Sequence, residues 1–345
     1  MSKKILHIAR CDKFIPPFVL FIKENFNFHE HEFFIMGGAS EVQLHHYKNV
    51  HLFKKIFLSK LKYYFQIFLL MNKTEKIIIH GLFDKKIIKI LFFAPWLLKK
   101  CHWVIWGGDL YKYKINNLDW KWKLGEFFRR PVIKNMGYLI TYIEGDIDLA
   151  KKWYGATGTY CECLAYTSNL YKDYNPIEEN REVLNIQLGN SASPENHHLE
   201  ALNKLLPYKA HNICIYVPLS YGSKKYAKEI IEKGTELFGN KIKFLTEMMP
   251  FDEYLIFLGA IDIAIFNHKR QQAMGNTISL LGLGKKVYLR KDTAQWNFFQ
   301  KKNIATYDIN EFSLLNDMDN EENVYKIKSY FSESNYIDQW FRIFK

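Results

Sequence analysis

A strand-like apolar run, Ile261-Asp262-Ile263-Ala264-Ile265-Phe266, is followed by a polar segment, His268-Lys269-Arg270-Gln271-Gln272-Ala273-Met274-Gly275-Asn276-Thr277. A helix-like run, Ile278-Ser279-Leu280-Leu281-Gly282-Leu283, begins directly after this segment. In an open α/β sheet, ligands bind where a strand ends and a helix begins, because backbone N–H groups and the helix dipole point there. The segment therefore predicts a site for a phosphorylated, hydroxyl-rich ligand. An exposed polar loop is the alternative interpretation.

The same alternation of strand and helix continues through most of the chain. The first half predicts strands at 4–9, 32–36, 76–80, 103–106, 138–142 and 160–164, with helices near 14–26, 57–71, 85–93, 118–135 and 147–154. After an irregular segment, the second half predicts strands at 183–188, 213–217, 242–245, 261–266 and 287–289, with helices at 195–206, 223–237, 251–259 and 276–283.

We therefore predict an α/β protein with two Rossmann-like domains that face each other across a ligand-binding cleft. The first domain spans residues 1–165 and the second spans 177–320. Residues 321–345 predict two amphipathic helices that pack back on the first domain.

Composition narrows the class of protein. The chain has 345 residues, of which 48% are hydrophobic, enough for two cores. Its five scattered cysteines have the spacing of neither a disulfide framework nor a zinc site, which suits a reducing cytoplasm. The start predicts no signal peptide. The most apolar run, 90–98, is about half as long as a membrane-spanning helix.

The positive charge is confined to the first half. Residues 1–165 carry 26 Lys and Arg against 14 Asp and Glu, whereas residues 166–345 carry 22 of each. Lysines alternate with aromatic residues near 54–76, a composition typical of a helix at an anionic membrane surface. We predict that Lys54, Lys55, Lys60 and Lys62 contact such a surface. A core helix with snorkelling lysines is the alternative, and the absence of a recognised motif argues against nucleic acid.

Other strand ends also carry residues capable of chemistry. Asp12 follows the first strand, His80 ends another, and Asp109 follows two glycines in Trp106-Gly107-Gly108-Asp109. These three are the candidate catalytic groups, because each can hold a hydroxyl group or accept its proton; helix capping is the alternative for Asp109. Two Asp-x-Asp pairs, at 146/148 and 317/319, have the spacing of a metal site, but helix capping competes for Asp146. We expect no metal and no cofactor.

The order of several motifs resembles the TDP-N-acetylfucosamine:lipid II N-acetylfucosaminyltransferase family, glycosyltransferase family 56. The motifs are Trp106-Gly107-Gly108-Asp109-Leu110-Tyr111, Gly189-Asn190-Ser191 followed by Glu195-Asn196-His197-His198, Val217-Pro218, Phe251-Asp252-Glu253-Tyr254-Leu255 and Arg270-Gln271-Gln272-x-x-Gly275. The resemblance covers about residues 75–300. Relatives tend to carry Ala in place of Gly108, so a different TDP-amino sugar or acceptor is compatible with this chain.

The resemblance implies a GT-B fold in which the second domain binds a dTDP-deoxyamino sugar without metal. The donor-binding residues would be Gly189, Asn190, Ser191, Tyr221, Glu247, Met248, Arg270, Gln271, Gln272, Asn276 and Thr277. The first domain, including Trp106, would meet an undecaprenyl-diphosphate-linked acceptor at the cytoplasmic face of the bacterial inner membrane, in O-antigen or enterobacterial common antigen synthesis. A nucleotide-sugar epimerase, a membrane-binding scaffold and a nucleic-acid binder remain alternatives. The stereochemical outcome is open.

Overall fold

The computed structural model describes residues 4–37, 44–53, 57–114, 119–173, 182–314 and 321–345. The chain divides into two compact units. The first unit contains Met1–Ser168 and Glu333–Lys345, and the second contains Asn169–Ser332.

The described part of the first unit is built on a seven-stranded parallel sheet in the order β3-β2-β1-β4-β5-β6-β7. Its strands are β1 (Ile5–Arg10), β2 (His31–Met36), β3 (Val50–Phe53), β4 (Lys76–His80), β5 (Cys101–Val104), β6 (Tyr138–Thr141) and β7 (Thr159–Glu162). The strand order reverses between β1 and β4, and ligands bind at such a reversal in doubly wound sheets.

Helices cover both faces of this sheet. They are α1 (Ile15–Asn25), α2 (Phe57–Lys73), α3 (Lys85–Phe93), α4 (Trp120–Lys134) and α5 (Glu144–Tyr154). Leu6 and Ile8 of β1 are buried in the core that α2–α5 share, whereas the intervening His7 contacts Phe18 of α1. Successive residues of a strand point to opposite faces, so an apolar run with one histidine still builds two apolar layers.

Polar caps set the starts of two of these helices. The Asp84 carboxylate accepts the N–H groups of Lys86 at 2.7 Å and Ile87 at 3.0 Å, and α3 begins there. Asp119 caps α4 through the N–H of Trp122 at 2.7 Å. Each cap satisfies backbone donors that a helix leaves free at its first turn.

The described part of the second unit has a six-stranded parallel sheet in the order β10-β9-β8-β11-β12-β13. Its strands are β8 (Leu184–Leu188), β9 (Ile213–Pro218), β10 (Ile242–Leu245), β11 (Ile263–Ile265), β12 (Lys286–Leu289) and β13 (Tyr307–Asp308). Its helices are α6 (His198–Leu205), α7 (Lys224–Phe238), α8 (Phe251–Gly259), α9 (Met274–Gly282), α10 (Ala294–Lys301) and α11 (Glu321–Tyr330). Here the strand order reverses between β8 and β11.

Two helices form within residues 321–345 as predicted, but the prediction that both pack back on the first domain is wrong for α11, which belongs to the second unit. The last helix, α12 (Glu333–Phe344), returns to the first unit, where Trp340 packs on Phe18 with ring centroids 5.0 Å apart. The Tyr336 hydroxyl donates to the carbonyl of Ala165 at 3.0 Å. α12 therefore completes the apolar layer that α1 begins.

The predicted alternation is confirmed, with bounds that differ by a few residues. Three elements were not predicted: β3, α10 and β13. β3 and β13 are edge strands of four and two residues, and four of the eight residues of α10 are polar. Among the described residues, no helix is both long enough and apolar enough to cross a membrane.

Candidate active site

A tight turn follows β8 in the second unit. Gly189 has φ +68°, and a Cβ at this position would lie 2.5 Å from Nε2 of His198 and 2.7 Å from Oδ1 of Asn196. Both the backbone conformation and the lack of space therefore require glycine. The side-chain oxygen Oδ1 of Asn196 accepts the backbone N–H of Asn190 at 2.9 Å and lies 2.8 Å from Nε2 of His268. Asn196 thus joins the turn after β8 to the segment after β11.

The surroundings of this turn contain buried polar atoms whose hydrogen-bonding capacity is unused. Four buried side-chain atoms around this turn have no hydrogen-bond partner within the described residues: Oε1 of Gln187, Nε2 of His198, Nδ1 of His268 and Oε1 of Gln272. Buried polar groups are nearly always paired, so a concentration of unpaired ones indicates a place that a ligand or ordered water completes. Burial also lowers the pKa of His268 to about 3, so this ring is neutral near pH 7.

The polar segment after β11, residues 268–277, contacts the turn after β8. Arg270 pairs with Glu195, with Nε donating to Oε2 at 2.8 Å. The Gln272 side chain donates to Oδ1 of Asn190 at 3.3 Å. α9 then begins after Ala273, a non-glycine residue with φ +57°. Such backbone strain is concentrated at functional sites.

Two further hydrogen bonds extend this network to neighbouring helices. Asn276 donates to the hydroxyl of Tyr254 on α8 at 2.8 Å. The hydroxyl of Thr277 accepts the side-chain amide of Gln295 on α10 at 3.0 Å. Asn190 also donates to the hydroxyl of Tyr221 at 2.9 Å. The turn after β8, the loop after β9 and the N-terminus of α9 therefore meet at one sheet edge.

Most of the predicted donor-binding residues lie in this region. They are Gly189, Asn190, Ser191, Tyr221, Arg270, Gln271, Gln272, Asn276 and Thr277. Glu247 and Met248 lie on the exposed loop after β10, at the same carboxyl edge of the parallel sheet but two strands from β8, and their role stays a prediction. Asn196, His268 and Tyr254 also belong to the network. They lie in the polar segment and motifs that predicted the site, but they were not among the predicted donor-binding residues.

Asp109 in the first unit is held in a way that differs from the prediction of a catalytic base. The side chain is fully buried, and its Oδ2 accepts Leu82 N–H at 2.8 Å and Trp103 Nε1–H at 2.7 Å. Its Oδ1 accepts the backbone N–H groups of Trp106 and Leu110, each at 3.0 Å. Four N–H donors occupy the lone pairs of the carboxylate, so Asp109 fixes the loop after β5.

His80, the second catalytic candidate, lies inside a chain of hydrogen-bonded rings. Its Nε2 is 3.2 Å from Nδ1 of His7, and Nε2 of His7 is 2.9 Å from Nδ1 of His31. The strands place these rings diagonally across one face of the sheet, because His31 pairs with Ile5 and His80 with Ala9. Burial lowers the pKa of His80 to about 3 and that of His31 to about 4. The rings are therefore neutral near pH 7.

This chain of hydrogen-bonded rings ends at Tyr166, a residue that was not predicted from the sequence. Its hydroxyl lies 2.7 Å from Nδ1 of His80 and accepts the indole N–H of Trp106 at 2.7 Å. Phe14 packs on both rings, with centroids 5.6 Å from Trp106 and 5.7 Å from Tyr166. Burial raises the pKa of Tyr166, and the negative charges of Asp109 and Asp12 raise it further. Asp12 lies on the exposed loop after β1, two residues before Phe14 of this aromatic cluster.

The metal and lysine predictions are only partly covered by the structure. The described residues contain no group of three or more His, Cys, Asp or Glu side chains that could hold a metal ion. Asp146 lies in the first turn of α5, whose N-cap is Ile143, so the capping interpretation is wrong. Lys54, Lys55, Asp317 and Asp319 lie outside the described residues, as does the side chain of Lys60. Lys62 is exposed on α2.

Comparisons with known proteins identify the family and the fold. The family model described as 4-alpha-L-fucosyltransferase, glycosyl transferase group 56, matches residues 19–345. HepE of Anabaena, solved with UDP and glucose, is 11% identical with a TM-score of 0.61, over 98% of this chain and 92% of that chain. A glycosyltransferase from Rickettsia africae is 12% identical with a TM-score of 0.62, over 100% and 98% of the two chains.

A third solved structure, OtsA, is 11% identical with a TM-score of 0.60, over 99% of this chain and 98% of that chain. Identities this low show the fold alone, which is the GT-B fold predicted from the motifs. Because the family model covers nearly the whole sequence, the chain belongs to glycosyltransferase family 56 and is a transferase.

Proposed function

We propose that the protein transfers a deoxyamino sugar, such as 4-acetamido-4,6-dideoxygalactose, from a dTDP donor to an undecaprenyl-diphosphate-linked saccharide. The observation that carries the proposal is the group of unpaired buried polar atoms around Gly189, at the strand reversal of the second unit. O-antigen or enterobacterial common antigen is the product class, and the sugar transfer takes place at the cytoplasmic face of the inner membrane.

The donor would bind at the edge formed by the turn after β8 and the start of α9. The free N–H groups in the first turn of α9 favour a diphosphate. Arg270 supplies a fixed positive charge close by, at present paired with Glu195. Negative charge develops on the departing dTDP in the transition state, and preorganised donors and a cation stabilise it there without a metal. Tyr221 and Asn190 offer a hydroxyl and an amide to the sugar.

On the acceptor side, we assign Asp12 as the candidate base and the other two candidates as positioning residues. Asp12 is exposed and lies two residues before Phe14, which packs on Trp106 and Tyr166, so a saccharide hydroxyl bound there could reach its carboxylate. Asp109 and His80 are buried with their polar atoms occupied. If configuration is inverted, Asp12→Asn should lower transfer about 100-fold or more, with dTDP affinity unchanged.

Calorimetric titration with dTDP, UDP, GDP and CDP tests the donor assignment. We expect the tightest binding for dTDP, with no added metal, and a loss of affinity of at least about tenfold in Arg270→Ala, since a charge-assisted contact contributes roughly 1.5–3 kcal/mol. Arg342→Ala is the matched control, because Arg342 is an exposed arginine of the first unit. Equal affinity for all four nucleotides, or unchanged binding in Arg270→Ala, would contradict the proposal.

A further inference from the structure

Three neighbouring helices of the first unit expose large apolar side chains. Phe65 on α2, Phe93 and Trp96 at the end of α3 and just after it, and Trp120, Leu124 and Phe127 on α4 form what we term the aromatic surface. Their exposed fractions range from 47% for Leu124 to 70% for Phe93. Buried neighbours on the same helices already fill the core, so these side chains add nothing to it.

Direct contacts link parts of the aromatic surface to neighbouring helices. The indole N–H of Trp96 donates to Oδ1 of Asn72 at 3.0 Å, which joins it to α2. Phe92 bridges α3 and α4, with its ring centroid 5.5 Å from that of Phe127. Contiguous exposed apolar area on a soluble protein generally marks an interaction site.

The charge around this surface is almost entirely positive. Residues 57–73, 85–100 and 120–134 contain 13 Lys and Arg and one acid, Glu126. Glu126 is buried and paired with Arg129 at 3.1 Å, so it does not offset the exposed cations. Exposed lysines lie beside the rings; Nζ of Lys121, for example, lies 5.7 Å from the ring centroid of Trp120.

We propose that the aromatic surface docks the first unit on an anionic lipid bilayer, with Trp96 and Trp120 at the level of the headgroups. Tryptophan prefers this interface, and surrounding lysines add attraction to anionic lipid. Helices that lie on a bilayer combine such apolar and basic residues. The inference rests on the proposed lipid-linked acceptor, and it enlarges the contact region from the predicted lysines near 54–62 to α3 and α4.

Vesicle sedimentation tests the proposal with the full chain. The probes are vesicles of phosphatidylcholine with or without phosphatidylglycerol, and the variant is Phe93→Ser/Trp96→Ser/Phe127→Ser. Ile256→Ser/Tyr325→Ser/Phe341→Ser removes three comparably exposed apolar side chains elsewhere. We expect wild type and the control variant to bind phosphatidylglycerol vesicles, and the aromatic-surface variant to bind at least about tenfold more weakly.

Circular dichroism would confirm that both variants are folded, and quenching by brominated lipid would report insertion of tryptophan. Equal vesicle binding by both variants would overturn the proposal, as would wild-type binding that does not depend on phosphatidylglycerol. A concentration-dependent dimer that the aromatic-surface variant alone abolishes would instead assign this surface to a second copy. Binding of dTDP is measured separately, so a failed donor site and a failed docking surface are distinguishable.

Discussion

Asp109→Asn is the substitution that best separates a structural carboxylate from a catalytic one. The native carboxylate accepts four N–H groups, two on each oxygen. An asparagine side chain keeps one oxygen and replaces the other with an NH₂ group, which cannot accept. Two buried N–H donors therefore lose their acceptor whichever way the amide is oriented.

Each unsatisfied buried donor costs about 1–3 kcal/mol, so the first unit should lose roughly 2–6 kcal/mol of its free energy of unfolding. That is a large part of the 5–15 kcal/mol typical of a folded protein. The matched control is Asp119→Asn, because Asp119 caps α4 through one N–H and asparagine caps a helix equally well. We expect the control to change stability by less than about 0.5 kcal/mol.

Urea unfolding followed by tryptophan fluorescence measures this effect selectively. Seven of the eight tryptophans belong to the first unit, and Trp296 is the exception. Trp103 itself donates to Asp109. If Asp109→Asn unfolds at the wild-type urea concentration yet transfers no sugar, the structural account is refuted and Asp109 returns as the general base.

Two further predictions concern pH and backbone conformation. His31 and His80 have folded pKa values of about 4 and 3, below the 6.5 of an unfolded chain, so their neutral rings stabilise the fold above pH 6.5 and lose this contribution as the pH falls. Each histidine should lower the free energy of unfolding by about 1 kcal/mol as the pH falls from 6.5 to 5.5. A urea midpoint that stays constant over this range would contradict the prediction. Gly107 has φ +74°, so Gly107→Ala should cost about 1 kcal/mol. Gly108→Ala should be nearly neutral, because its Cβ would lie 4.0 Å from Phe83; equal thermal stabilities of the two variants would refute this.

The sequence predicted the two sheets well because their central strands are buried on both faces. Such strands are continuous apolar runs, as in Ile77-Ile78-Ile79, and the polar residues that follow them mark the sheet edge. β3 escaped prediction because an edge strand of four residues needs no such run. α10 escaped because it has only eight residues, Ala-Gln-Trp-Asn-Phe-Phe-Gln-Lys, and its buried positions include the polar Gln295, although Thr293 caps it.

Prediction of the candidate site reached the loops but not the partners within them. Asn196 and His268 are 72 residues apart, and their hydrogen bond depends on the adjacency of β8 and β11. The histidine chain likewise depends on strand register, since each ring appears in the sequence only as one polar residue in an apolar strand. Asp109 was assigned to catalysis because its position fits a base, but a sequence does not reveal four N–H donors.

The return of α12 to the first unit imposes an order on biosynthesis. The ribosome makes the whole second unit between Ser168 and the helix that closes the first. At about 5–20 residues per second, α12 follows Ser168 by roughly 10–35 s. Throughout this interval Phe18 and Phe21 lack the Trp340 and Tyr336 rings that cover them in the finished protein. The nascent first unit therefore exposes an apolar aromatic layer that chaperones can bind. The second unit is made later but can finish folding before the first unit does.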